Sequence, residues 1–81
     1  MMTNRPAPDR VLDITAETCP MTFVRTRLAL DTLQRGQTLL VLLRGEEPER
    51  NVPRSAVEQG HEVVAQESGA DGTTRLLLRK G

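Results

Sequence analysis

The chain of 81 residues contains a single aromatic residue, Phe23, and no tryptophan or tyrosine. Aromatic platforms on which nucleic-acid bases could stack are therefore missing. Eleven basic residues balance eleven acidic ones, so no net charge draws the chain to nucleic acid or to anionic lipid. Together these absences argue against an RNA-binding module, and we expect no direct contact with nucleic acid.

Cysteine is also scarce, because Cys19 is the only one and it is accompanied by one histidine. A lone cysteine can form neither an internal disulfide nor a dithiol redox motif, and one cysteine with one histidine makes a poor metal site. We therefore expect no metal and no cofactor. No apolar run is long enough to span a bilayer and the N-terminus lacks a signal-peptide core, so we predict a soluble, cytoplasmic protein.

A chain of this length forms one small domain with a modest core. That core is aliphatic, since eleven leucines and seven valines dominate the apolar residues. Residues 1–9 contain two prolines and show no apolar periodicity, which predicts a disordered N-terminal tail ahead of a single domain at 10–81.

The apolar pattern predicts six elements in the order β-α-β-α-β-β. The second strand is a nearly continuous apolar run, and we predict it to be central and buried on both faces. Right-handed crossovers would place both helices on one face of a mixed four-stranded sheet, so the fold class is an α/β (α+β) two-layer sandwich. The predicted elements are strands at 10–14, 37–43, 61–67 and 73–80 and helices at 20–35 and 49–59.

The first helix carries two apolar sets on opposite sides, and Gly36 is predicted to be its left-handed C-cap. We assign one set to the core: Phe23, Thr26, Leu30 and Leu33. The other set is expected to be exposed, and we interpret it as a docking stripe for a protein partner, with Arg25 on its rim. The docking stripe consists of the apolar residues Met21, Val24 and Leu28, together with Arg25 on its rim.

The second helix is predicted to bury Val52, Ala56 and Val57 and to end at a C-cap glycine, Gly60. Its Pro53 has no backbone N–H to donate. We therefore expect Pro53 to lie in the first turn or to kink the helix.

Cys19 is followed by Pro20, and this junction is typical of a helix start. We predict Cys19 at the N-cap and Pro20 at the first helical position, N1. The positive end of the helix dipole would then lie beside Cys19, together with the backbone N–H groups of Met21 and Thr22. Both favour the thiolate of Cys19, which is the nucleophilic form of cysteine. The alternative is a structural cysteine that fills a gap at the helix start. Glu17 is expected to be a solvated loop charge, and His61 a solvent-facing residue at a strand start.

Six short segments of the chain follow one another in a recognisable order: Leu12-Asp13, Cys19-Pro20, Arg35-Gly36-Gln37-Thr38-Leu39-Leu40, Asn51-Val52-Pro53, Gly60-His61-Glu62-Val63 and Leu78-Arg79-Lys80-Gly81. With these segments in this order, the chain resembles the TusA/SirA-like sulfur carriers over residues 11 to 81. The family's usual motif is Cys-Pro-x-Pro, and Thr22 stands where its second proline would be. The resemblance implies a sheet with strand order 1-2-4-3 in which the fourth strand is antiparallel.

The resemblance further implies a sulfurtransferase in which Cys19 carries sulfur between proteins as a persulfide. The expected partners are a sulfur donor, such as a cysteine desulfurase or a rhodanese-like protein, and an acceptor protein of a sulfur relay. A single cysteine suits a carrier, because a second one could resolve the persulfide into a disulfide. The competing interpretation is a non-catalytic regulatory or adaptor module whose cysteine is structural or senses oxidants.

Overall fold

The structure is a computed structural model that describes residues 8–18 and 20–81. It confirms the predicted order of elements, each within a few residues of the predicted bounds. Of the tail predicted at 1–9, residues 1–7 lie outside the described residues. Asp9, however, accepts a hydrogen bond from the backbone N–H of Thr38 at 2.8 Å, so it belongs to the domain. The elements are β1 (Arg10–Asp13), α1 (Met21–Asp31), β2 (Thr38–Arg44), α2 (Glu46–Glu58), β3 (Glu62–Ser68) and β4 (Thr73–Arg79).

The four strands form one mixed sheet in the order β1-β2-β4-β3. β1 runs parallel to β2, whereas β4 is antiparallel to both β2 and β3, which confirms the strand order that the family resemblance implies. The β3–β4 hairpin closes with a turn in which Gly72 has a φ of 86°, a left-handed value that favours glycine. No helix in the described ranges is long and apolar enough to cross a membrane.

Both helices pack on the same face of the sheet, and this decides how β2 is buried. Leu39, Val41 and Leu43 point toward the helices and are fully buried. Leu40 and Leu42 point the other way and are only half-buried, because no layer of the described chain covers that face. The prediction that β2 is buried on both faces is therefore wrong. The buried core consists of Ile14, Ala29, Leu30, Leu39, Val41, Leu43, Val52, Ala56, Leu76 and Leu78.

Helix α1 ends at Asp31, four residues before the predicted end. Side chains bind its last carbonyls: Lys80 Nζ donates to the carbonyl of Leu30 at 2.8 Å, and the hydroxyl of Thr32, the C-cap residue, donates to that of Ala29 at 2.6 Å. Gly36 does have a left-handed φ of 93°. It lies in the turn into β2, rather than at the C-cap as predicted.

Helix α2 starts three residues earlier than predicted and contains Pro53 in its second half. Because Pro53 cannot donate to the carbonyl of Glu49, that carbonyl would be left without its helical partner. The side chain of Gln66 supplies the missing donor at 2.9 Å. Val52 and Ala56 are buried as predicted, but Val57 is 56% exposed and its predicted burial is wrong. The third buried residue of α2, besides Val52 and Ala56, is Pro53.

Candidate functional site at the start of helix α1

The start of α1 is built by backbone hydrogen bonds around Pro20. The backbone N–H of Val24 donates to the carbonyl of Pro20 at 3.2 Å, and that of Met21 donates to the carbonyl of Thr18 at 2.7 Å. Pro20 is thus the N-cap residue and not N1 as predicted, which puts Thr22 at N2. Cys19, which we predicted at the N-cap, lies outside the described residues.

The loop that leads to this helix start is fixed by Asp13 at the end of β1. Its carboxylate accepts hydrogen bonds from the Thr15 backbone N–H at 3.0 Å and from the Thr15 hydroxyl at 2.7 Å. These bonds, the backbone one foremost, hold the pKa of Asp13 below its usual value. Asp13 is therefore an ionised loop-ordering group near neutral pH, and it is unsuited to general acid catalysis.

Two charged side chains near the helix start neutralise each other. Glu17 Oε2 and Arg25 Nη1 are 3.6 Å apart, with both side chains partly exposed. A carboxylate close to a cysteine opposes ionisation of its thiol. Because Arg25 lies beside Glu17, it offsets part of the negative charge of that carboxylate.

The outer side of α1 exposes the docking stripe. Met21 and Val24 are each 41% exposed and Leu28 is 57% exposed. On the opposite side, Leu30 is fully buried, while Phe23 and Leu33 are half-buried against the core. The assignment of the two faces of α1 is therefore confirmed, and an apolar strip lies open to solvent over the first two turns.

Thr22 is the residue of this region that sequence reasoning misplaced. We assigned Thr22 a role through its backbone N–H, to which its hydroxyl could add, but we did not place its side chain in the core. That side chain is 1% exposed and belongs to the buried side of α1. Its hydroxyl has no hydrogen-bond partner among the described residues. The signal in the sequence was the spacing of four residues between Thr22 and Thr26, which places both on one face of the helix.

His61 lies beside the other end of α1, in a depression that Asp31 and Lys80 also line. Its Nδ1 accepts a hydrogen bond from the backbone N–H of Gly81 at 3.0 Å. Burial, and then the charge of Lys80, lowers the pKa of His61. The structure does not bring this histidine to the start of the helix, so it is no partner for chemistry there.

The comparisons with known proteins agree with this fold. The family model described as Sulfurtransferase TusA matches residues 10–80, so the chain belongs to that family. A relative from Archaeoglobus fulgidus, named as a candidate sulfur carrier protein, is 39% identical over 72 residues, which are 89% of this chain and 82% of the relative.

A solved structure extends the agreement to three dimensions. The SirA-like protein from Desulfitobacterium hafniense superimposes with a TM-score of 0.79 at 20% identity, over 89% of this chain and 97% of that one. At this identity the match establishes the fold, a two-layer sandwich of two helices on a mixed four-stranded sheet.

Proposed function

We propose that this protein is a sulfur carrier that accepts a sulfur atom on Cys19 and passes it to an acceptor protein. The observation that carries the proposal is the family match over residues 10–80, which includes Cys19 and Pro20 directly before α1. The name of the Archaeoglobus relative supports the same role. The use of a persulfide on Cys19, and the exchange with partner proteins, form the part of the proposal that experiments have to test.

The proposed chemistry is thiol–persulfide exchange, which needs no outside oxidant or reductant. The Cys19 thiolate attacks the terminal sulfur of a donor persulfide, and a bond forms between Cys19 Sγ and that sulfur. The bond between that sulfur and the donor cysteine breaks, and the donor leaves as a thiolate. In the second transfer an acceptor thiolate attacks the same terminal sulfur and Cys19 leaves as the thiolate. The proton on the terminal sulfur travels with it in both steps.

The described residues around Cys19 suit this chemistry. The N-terminal end of α1 carries the positive end of the helix dipole, which favours a thiolate before Pro20. The Glu17–Arg25 pair, at 3.6 Å, offsets the one nearby carboxylate in the sequence that would oppose it. Because a thiolate is both the attacking and the leaving group, no general acid or base is required.

The docking stripe supplies a surface for the partners. A sulfur atom passes between two cysteines only when they come into contact, so a partner must bind beside Cys19. Met21, Val24 and Leu28 expose an apolar strip that begins two residues after it, and apolar patches rimmed by charge are typical of protein interfaces. We propose that Arg25, on the rim, helps to orient the donor, a cysteine desulfurase or a rhodanese-like protein, and the acceptor.

Intact-protein mass spectrometry tests the proposal. The protein is incubated with a persulfide donor, with and without a cysteine desulfurase, and then treated with a reductant. A carrier gains the mass of one sulfur atom, and reductant removes it. An adaptor module with a structural cysteine gains no labile sulfur, and that result would reject the proposal.

A further inference from the structure

The side chain of His61 joins the start of β3 to the segment that follows β4. His61 Nδ1 accepts a hydrogen bond from the backbone N–H of Gly81 at 3.0 Å. A ring nitrogen of imidazole accepts a hydrogen bond only while it carries no proton, and in the neutral ring the other nitrogen then carries it. Neutral His61 therefore has its proton on Nε2. The imidazolium has a proton on both nitrogens and cannot make this contact.

The segment Lys80-Gly81 is held closely at this place. A Cβ atom on Gly81 would collide with the carbonyl oxygen of Gly60, so only glycine fits here without a shift of the backbone. The backbone N–H of Lys80 donates to the carbonyl of Gln37 at 2.8 Å, and the Lys80 ammonium donates to that of Leu30 at 2.8 Å. Through this segment, His61 is connected to the last turn of α1.

The depression around His61 contains charged groups from two sides. Lys80, after β4, and Arg27, on α1, are cations, Asp31 at the end of α1 is a carboxylate, and α2 contributes the uncharged Gln59. Burial first, and then the charge of Lys80, lowers the pKa of His61, whereas the charge of Asp31 raises it. His61 makes no ion pair with a carboxylate in residues 8–18 and 20–81. The surroundings of the ring thus favour its neutral form, the form that makes the hydrogen bond.

We propose that His61 is a proton-controlled latch on the segment Lys80-Gly81. In its neutral form Nδ1 accepts the backbone N–H of Gly81, and the latch is closed. A proton added to Nδ1 places two donors opposite each other with no acceptor between them. It also places a second positive charge beside the Lys80 ammonium. The bond to Gly81 breaks, and the ammonium is repelled from the carbonyl of Leu30. This inference does not depend on the proposed function.

The latch opens as the pH falls. Because the pKa of His61 in the closed arrangement lies below its ordinary value of 6.5, the ring binds a proton more readily once it is free of these contacts. The latch is therefore closed near neutral pH and opens in mildly acidic solution, the range in which histidine acts as a switch. Opening removes a side-chain donor from the carbonyl of Leu30, so the change in pH reaches the last turn of α1.

Nuclear magnetic resonance of the full, isotopically labelled chain between about pH 7.5 and about pH 5 tests the latch. We expect the amide proton of Gly81 and the ring of His61 to titrate with one midpoint. The protection of that amide against hydrogen exchange, relative to an unstructured chain at the same pH, should fall about tenfold. The ring nitrogen shifts near neutral pH should show the proton on Nε2. The internal control is the backbone N–H of Gly69, which donates to the carbonyl of Thr73 at 2.7 Å at the other end of β4 and should keep its protection.

Two variants fix the latch in one state each. His61→Asn offers a carbonyl oxygen as an acceptor near the position of Nδ1, and this acceptor does not titrate. Its Gly81 amide should be protected at both pH values. His61→Phe keeps a ring but offers no acceptor, so its Gly81 amide should be unprotected at both. Should the phenylalanine variant not fold, His61→Ala makes the same comparison.

Three results would overturn the inference: a Gly81 amide that does not respond while the ring titrates, a ring proton on Nδ1 at neutral pH, or a His61→Asn variant that follows the pH as the wild type does. None of these measurements involves Cys19. The uptake of sulfur therefore tests the proposed function separately, and either proposal can fail without the other.

Discussion

The two helices of this fold differ in whether a group that lacks its usual hydrogen bond is given another partner. In α2, Pro53 leaves the carbonyl of Glu49 without a helical donor, and Gln66 supplies one from β3 at 2.9 Å. The carboxylate of Glu49 in turn accepts the hydroxyl of Thr74, which is fully buried in β4, at 2.8 Å. The apolar residues of α2 that face the sheet are buried and its first turn is acidic, as the helix dipole favours. The hydrogen bond that Pro53 removes from α2 is thus replaced by one from a side chain of the sheet.

The first turns of α1 lack such compensation. There is no acidic residue in the first turn, an apolar stripe faces solvent, and the buried Thr22 hydroxyl has no partner in the described part of the chain. The far end of α1 is ordinary by comparison, because the Lys80 side chain donates to the carbonyl of Leu30 and the Thr32 hydroxyl to that of Ala29. Natural proteins tend to break the rules of stability where function requires it. The contrast supports the proposal that the start of α1 is the functional end of the domain.

The largest expected effect divides the two sides of α1. Leu30→Glu would place an unpaired carboxylate in the core, at a cost of about 5 kcal/mol or more, comparable with the whole stability of a small domain. We expect this variant to be unfolded by circular dichroism. Leu28→Glu changes a side chain that is 57% exposed and should shift the free energy of unfolding by at most about 0.5 kcal/mol.

The same pair of variants tests the docking stripe. Leu28→Glu and Val24→Glu should load sulfur from a small-molecule persulfide at the wild-type rate but exchange it with a protein partner more slowly. If Leu28→Glu unfolded the domain, or if it left transfer between proteins unchanged, the docking role would be wrong.

The next largest effect is expected from a substitution in α2, which should lower the stability of the domain and leave sulfur loading unchanged. Glu49→Ala removes the acceptor of the buried Thr74 hydroxyl, which costs about 1–3 kcal/mol, or roughly 5–15 °C in the melting temperature. The exposed neighbour Glu47 provides the control, and Glu47→Ala should melt close to the wild type. Sulfur loading of folded Glu49→Ala should be unchanged. A loss of loading without a loss of stability would contradict the division between the helices.

A smaller effect is expected from restoring the family's usual residue with Thr22→Pro. Proline suits the first turn of a helix, so the fold should persist. The variant lacks both the backbone N–H and the hydroxyl of Thr22, and we expect the thiol pKa of Cys19 to rise. pH-dependent alkylation measures this. An unchanged or lower thiol pKa would show that neither group acts on the sulfur.

The smallest effect concerns His61, beyond the end of α2. Its folded-state pKa lies below the ordinary value of 6.5, because burial and the charge of Lys80 disfavour the imidazolium. As pH falls, the unfolded chain therefore binds the proton first, and stability is lost from about pH 6.5 downward through the folded-state pKa. His61→Gln should lose this part of the pH dependence, seen as a smaller drop in melting temperature between about pH 7.5 and about pH 5. A drop equal to that of the wild type would contradict the assignment.

The order of the elements followed from the sequence because hydrophobic periodicity acts locally, whereas the strand order of the sheet followed from the family resemblance. The missed features depend on groups that are distant in the chain. Lys80 donates to the carbonyl of Leu30 in the last turn of α1, 50 residues away, and Gln66 donates to the carbonyl that Pro53 leaves without a partner in α2. At the site, the exposed stripe could be predicted from periodicity. The burial of Thr22 was missed, although Thr22 lies four residues before Thr26 and therefore on the helical face that we assigned to the core.

The central claim is that Cys19 is the residue that carries the transferred sulfur atom. One measurement tests this claim most directly. Wild-type protein and the Cys19→Ser variant are incubated side by side with a cysteine desulfurase and its substrate, and their intact masses are compared before and after reduction. We predict that the wild type gains one reducible sulfur atom and that the folded serine variant gains none. Labile sulfur on the serine variant, or none on the wild type, would contradict the account.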